Sequence, residues 1–410
     1  MKYAPWVSSS DRALTSAAGQ IRLIRAVTPV NADSELAELT AAFRRGKARL
    51  PRWRYDAPPV PFELPRVLEE LAKFLDLEPP LGPIYAARAR ELCLEAALVE
   101  ATGTARLTAK ARERFLDPSP AAREDARQAD HLALLWTGKP EAGRTREYAV
   151  AGGGQAPPRA AFAEERVRSC DAKDPRSLLS RMSSEVGRKR LPIRVFVQAG
   201  MASLAATGDG VILVAQNQWL LRRDIERTVL HEIEGHALPR ARAARAPLAV
   251  FGFGTARGID DQEGRAVLIE ERAGFLDTAR KFELGCRHLA AGAALEGADF
   301  TEVVALLRER SATVESALRI AARVQRGSHG VGGLAREIVY LPARCKVERL
   351  AQGPDGRRIE EVMRGGRVAA DVALDLAAAL SNEQHGQRGE HGGHFRAPDH
   401  SKGAAPSSAR

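Results

Sequence analysis

Residues 228–238 read Thr-Val-Leu-His-Glu-Ile-Glu-Gly-His-Ala-Leu, and this stretch constrains the fold more than any other. It places His231 and His236 five positions apart, with Glu232 directly after the first. Neutral imidazoles are good zinc ligands, and an adjacent carboxylate can take a proton from metal-bound water. In the familiar zinc-peptidase signature the two histidines stand at i and i+4 on one helix face. A regular α-helix turns about 100° per residue, so positions i and i+5 diverge by about 140°. Two histidines so placed cannot reach one ion unless the helix is locally widened. A π-bulge brings i and i+5 into register, and Gly235 makes the distortion cheap because it has no Cβ. A surface helix that carries His, Glu and Gly by chance is the competing reading of the same letters.

A catalytic zinc takes three protein ligands and keeps a fourth position for water. Glu263, in Asp261-Gln-Glu-Gly-Arg-Ala-Val-Leu-Ile-Glu-Glu271, lies 27 residues after His236 near the start of a helix expected from about 261. It is the candidate third ligand, and Glu270, two turns further on the same face, is the reserve. Alternatively, Glu263 is a carboxylate favoured near a helix N-terminus by the macrodipole.

The rest of the chain predicts an α+β, predominantly helical fold: a zinc-peptidase-like core with a short β-sheet beside the metal-binding helix. Helical periodicity runs through 11–50, 63–77, 84–104 and 119–136, and returns at 301–325. The β-branched runs Leu191-Pro-Ile-Arg-Val-Phe-Val-Gln198 and Gly210-Val-Ile-Leu-Val214 predict a strand pair around the turn signal Thr207-Gly-Asp-Gly210. A substrate could lie extended along such a strand by β-augmentation. A further strand is expected within 336–349. The domain reading is a helical N-terminal region (1–137), a flexible linker or loop (138–160), a metallopeptidase-like catalytic region (161–380) and a disordered His/Gly-rich tail (381–410).

Composition narrows the partners. Lys and Arg outnumber Asp and Glu by a net +10, which favours acidic partners, although many arginines can simply solvate helix faces. Nucleic acid is not expected, because no recognition motif is present and aromatics are only 5%. No run reaches the ~18 apolar residues of a membrane span, and no secretory leader follows Met1, so a cytoplasmic location is expected. Cys93, Cys170, Cys286 and Cys345 form no CxxC pair and are expected as free thiols.

The His231-to-His236 motif together with Gln262-Glu-Gly-Arg-Ala266 resembles the family named for its QEGLA motif. Its bacterial members are labelled flavohaemoglobin expression-modulating proteins. Its eukaryotic relatives are microtubule-associated tyrosine carboxypeptidases, which remove the C-terminal tyrosine of α-tubulin and carry an HExxxH zinc motif. Thr28-Pro-Val-Asn31, Trp53-Arg-Tyr55, Arg323-Val-Gln-Arg-Gly327 and Glu337-Ile-Val-Tyr-Leu341 also match, so the resemblance spans roughly 10–375. It implies one zinc per chain on His231, His236 and Glu263, with Glu232 as general base acting on zinc-bound water. Arg265 replaces the leucine of the motif, which bears on packing beside the ligand. The implied activity is a carboxypeptidase-like metallopeptidase acting near an acidic C-terminal tail; a non-catalytic zinc-containing regulatory or binding protein is the alternative. A carboxypeptidase must also hold the substrate carboxylate. Arg326 and Tyr340 are singled out for that role, and Arg222, Arg223, Arg227, Arg240, Arg242 and Arg245 flank the motif. The tubulin substrate is not carried over, and the oligomeric state is left open.

Overall fold

The computed structural model describes residues 3–138, 165–201, 203–208 and 210–390, with 382–390 as backbone alone. Helix makes up 63% of it and the two sheets have two and three strands, which is the expected predominantly helical α+β class. Among the described residues no helix is long and apolar enough to cross a membrane. All four cysteines are free. Beyond Gly138, the expected linker at 138–160 lies outside the described residues. So does the tail from 391, while the helix Ala373–Glu390 carries the backbone past Ser381.

The first helical stretch divides at Ile21–Arg22 and again around Pro29 and Asn31, giving Pro5–Gln20, Leu23–Val27 and Ala32–Arg44. Asn31 precedes the third helix without capping it. Its amide instead holds the extended segment that follows that helix, donating to the Arg52 carbonyl at 2.9 Å and accepting from the Arg54 N–H at 2.8 Å. The helices expected over 63–77, 84–104 and 119–136 are Leu64–Leu75, Gly82–Glu100 and Pro120–Thr137. These N-terminal helices share their cores with later elements. Leu14, Tyr85 and Leu92 pack with Leu248, Phe253 and Leu376, while Leu39, Trp53 and Leu107 pack with Phe300, Leu318 and Leu334.

The larger sheet differs from the expected strand pair. Strands β1 (Arg166–Arg168) and β5 (Trp219–Leu221) form an antiparallel ribbon, and β2 (Arg194–Gln198), β3 (Ala205–Gly208) and β4 (Val211–Ala215) form a sheet in the order β2-β4-β3. The two β-branched runs do pair, but in parallel, with Arg194 opposite Val211 and Gln198 opposite Ala215. The tight turn belongs to β3 and β4, where Gly210 takes a φ of 76°. β3 has only one β-branched residue, Thr207, and so lacks a strand signal of its own.

The strand expected at 336–349 is replaced by a 3₁₀ turn, Arg336–Val339, and the helix Tyr340–Ala351. Its buried positions Leu341, Ala343, Cys345 and Val347 alternate as a strand's would, and buried Arg344 alone breaks that pattern. A short apolar run does not distinguish a strand from a buried helix by periodicity, and packing decides here.

The central element is a continuous helix over residues 222–243. Its face Ile225, Val229, Ile233 and Ala237 completes a small core with Leu178, Met182, Ile212, Val214 and Leu220 beneath the sheet. Against the helix also lies Gly258–Arg272, which in turn packs along Tyr340–Ala351.

Candidate metal centre and active site

The central helix is α-helical over Arg222–Leu230, π-helical over His231–Ala237 and α-helical again over Leu238–Ala243. The widening required by the five-residue step is therefore present, and it begins and ends around the two histidines. Their Nε2 atoms lie 3.3 Å apart. Gly235 contributes more than flexibility, because a Cβ there would sit 2.7 Å from the Cβ of Ala266 on the Gly258–Arg272 helix. The π segment and this second helix approach each other closely enough to require a glycine.

Across that contact, Glu263 Oε2 lies 3.6 Å from the Nε2 of His231 and 3.6 Å from the Nε2 of His236. His231, His236 and Glu263 form a cluster that could hold a metal ion. Arg336 donates to the other carboxylate oxygen of Glu263 at 3.2 Å. Burial works against the charge of Glu263, but both histidines and Arg336 hold its carboxyl well below the usual range.

The far sides of both imidazoles are also engaged. His231 Nδ1 lies 2.6 Å from Glu270 Oε1, and His236 Nδ1 lies 3.0 Å from Gln262 Oε1. An oxygen acceptor there places the proton on Nδ1 and leaves the Nε2 lone pair facing the cluster. Glu270 is fully buried and receives two hydrogen bonds from Arg280, at 2.8 and 2.9 Å. Burial alone would lower the His231 pKa, yet hydrogen bonds to Glu263 and Glu270 raise it to about 10. The cluster thus favours a positive charge at its centre, whether a proton or a cation.

Glu232 stands apart from this cluster. It is buried, and its Oε2 accepts a hydrogen bond from Thr207 Oγ1 at 2.7 Å. Thr207 belongs to β3, so the edge of the sheet positions the carboxylate that follows the first histidine.

Gln262 engages His236, and Glu263 faces both histidines. A Cβ at Gly264 would fall 2.3 Å from the backbone of Ala343, so the helix Tyr340–Ala351 crosses there. Ala266 meets Gly235. Arg265, the departure from leucine, donates to the Glu234 carbonyl of the π segment at 3.2 Å. Sequence reasoning missed Gln262, Arg280, Arg336 and Thr207. Only Gln262 carried a signal, as the first letter of its own motif.

Of the residues considered for substrate binding, Arg326 lies partly buried beside Glu337. Its Nη2 donates to Glu337 Oε1 at 3.0 Å and its Nε to the Arg323 carbonyl at 2.8 Å. The Tyr340 hydroxyl accepts from Arg323 at 3.5 Å; burial first, then the charge of Glu263, raise its pKa. Arg223 pairs with Asp277 at 3.0 Å, Arg227 with Asp224 at 3.2 Å, and Arg242 donates to the Arg364 carbonyl at 3.3 Å.

Fold and site together define a predominantly helical α+β protein with a π-bulged HExxxH helix and a glutamate from a neighbouring helix facing its two histidines. The family model described as microtubule-associated tyrosine carboxypeptidase matches residues 41–374, and the chain belongs to that family. Membership implies carboxypeptidase-like activity. Comparison with curated proteins gives no match.

Proposed function

We propose that this protein is a zinc-dependent, carboxypeptidase-like metallopeptidase with one zinc per chain held by His231, His236 and Glu263. The carrying observation is the triangle of ligand atoms with edges of 3.3, 3.6 and 3.6 Å. Tetrahedral zinc with nitrogen and oxygen ligands at about 2.0–2.2 Å separates those ligands by about 3.3–3.6 Å. Two imidazoles and one carboxylate also match the donor set of catalytic zinc sites that keep one position open. When bound, zinc supplies a Lewis acid for the scissile carbonyl and lowers the pKa of water towards ~7.

Glu232 then serves as general base. Thr207 occupies Oε2, so Oε1 takes the proton from water and returns it to the leaving amine. Glu270 and Gln262 keep both Nε2 atoms turned inward, and Arg336 keeps Glu263 ionised. Tyr340, within the field of Glu263, is the side chain to meet the substrate, and Arg326 contributes through Glu337 and Arg323. The net charge of +10 supports an acidic C-terminal tail of a peptide or protein as substrate. A cytoplasmic location accords with such a partner.

The test compares wild type with Glu232→Gln for zinc content and for release of C-terminal residues from a peptide library. Both proteins should carry stoichiometric zinc, and the variant should lose about 10²–10⁴-fold in turnover. Undiminished hydrolysis by the variant would remove Glu232 as base. Stoichiometric zinc with no cleavage by wild type would favour a non-catalytic zinc protein.

A further inference from the structure

Behind Glu270 lies a cavity of about 160 Å³ between the start of the central helix, Thr278–Leu295 and Val314–Val324. Six arginines line it (Arg223, Arg227, Arg280, Arg287, Arg319 and Arg323) against three carboxylates, Asp224, Asp277 and Glu283. Those carboxylates are already engaged: Asp277 with Arg223, Asp224 with Arg227, and Glu283 with both Arg280 and Arg287.

Two buried donors in the lining have no hydrogen-bond partner, the Nε of Arg287 and the Oγ of Ser316. Ser316 is only 2% exposed, so bulk solvent does not satisfy it. Buried donors in native proteins nearly always have an acceptor, and a pair of orphans in one cavity points to a missing one. Ser316 also lies in the first turn of Val314–Val324, where the helix dipole is positive. Burial and the like charges of Arg323 and Arg280 depress Arg287 to about 10 against the opposing pull of Glu283, and burial depresses Arg319. An anion would relieve both.

We propose that this cavity is a binding site for one small oxyanion, held by Arg287 Nε and Ser316 Oγ within the cationic wall. Its volume is below the ~300–1,000 Å³ of sites for drug-sized ligands, so the occupant is a single group rather than a nucleotide. Planar guanidinium forks suit carboxylate or tetrahedral oxyanions alike. The group is therefore either a free inorganic anion or a carboxylate of the bound peptide. The site stands independently of the peptidase assignment, because neither orphan donor touches the metal cluster.

The test is calorimetric titration of the zinc-loaded full chain with sulfate at constant ionic strength. One saturable site is expected in wild type and, unchanged, in Glu232→Gln. Arg287→Gln should weaken it at least tenfold. That variant also removes a partner of Glu283 and could misfold, so Ser316→Ala, which breaks no ion pair, should weaken it several-fold. Sulfate that raises KM for a peptide with a free C-terminus, with kcat and the amidated peptide unaffected, would identify the substrate carboxylate as occupant. An unchanged KM would identify a free anion. No saturable sulfate binding, or binding equal in wild type and both cavity variants, overturns the proposal even if the protein proves to be an active peptidase.

Discussion

Gly235→Ala probes a close helix contact that builds the site without touching a ligand atom. The new Cβ would lie 2.7 Å from the Cβ of Ala266 and 3.5 Å from its Cα. Carbon atoms pack at about 3.5–4.0 Å, so the π segment and its neighbour must separate by about 0.8 Å or more, or the segment must rotate. Overpacking of this kind costs about 1–3 kcal/mol, while alanine returns up to about 1 kcal/mol of helix propensity. The net loss of stability is thus modest, up to about 2 kcal/mol. The consequence for metal is larger, because the 3.6 Å edges from Glu263 to both histidines cross the same interface. Lengthening them by about 0.8 Å takes them well past the ~3.6 Å upper end of tetrahedral ligand separations, and zinc affinity should fall at least tenfold. Ala266→Gly should cost about 1 kcal/mol on its own through lost helix propensity. Combined with Gly235→Ala it moves the methyl from one helix to the other, so the pair should show a coupling of about 1 kcal/mol or more. Urea unfolding of the zinc-free variants and chelator competition of the zinc-loaded ones measure the two quantities. Additive energies, or a Gly235→Ala protein that binds zinc as tightly as wild type, would refute the reasoning.

Three further outcomes follow from the surroundings of the cluster. Glu270→Gln weakens the hold on His231 and leaves Arg280 beside a neutral amide; chelator competition should show a 10–100-fold loss of zinc affinity, and an unchanged value would remove its orienting role. Arg265→Leu restores the motif's leucine and removes a cation that burial depresses to about 10, so the urea midpoint should hold or rise; a loss above about 1 kcal/mol would show that its bond to Glu234 matters. In zinc-free protein the raised pKa of His231 stabilises the fold fully below its ordinary 6.5, and this contribution fades as pH climbs towards about 10. Chelated protein should therefore lose stability across that window while zinc affinity rises, since the proton must leave first; a pH-independent unfolding midpoint from 6.5 to 10 would contradict the assignment.

The parts of this site that were legible in sequence are those where chemistry and spacing conflict. Histidines five apart serve one ion only on a distorted helix, so the distortion could be inferred at His231–Ala237 before its geometry was seen. Glu263 was legible because the cluster needed a carboxylate and a second helix supplied one. Glu270, seven residues later on the same helix, looked like an equivalent ligand, but it reaches the opposite nitrogen of His231. Sequence does not encode which ring nitrogen a carboxylate meets, because the crossing of two helices decides it. The same holds for Arg280 and Arg336, two among many arginines until packing chooses their partners. β3 and the 336–351 helix escaped for a different reason, since one strand has little β-branched character and the helix begins with a short apolar run.

The two motifs are also not independent signals. Gly235 and Ala266 share one contact, Gln262 and His236 share another, and Gly264 admits the third helix. Small residues at 235 and 264 are what allow the three helices to approach closely enough for Glu263 to face both histidines. A regular helix with histidines at i and i+4 would place the residue equivalent to Gly235 elsewhere on its surface and lose this close contact. The five-residue step and the QEGxA spacing therefore specify a single interface, and a substitution that preserves every ligand can still dismantle the centre by widening it.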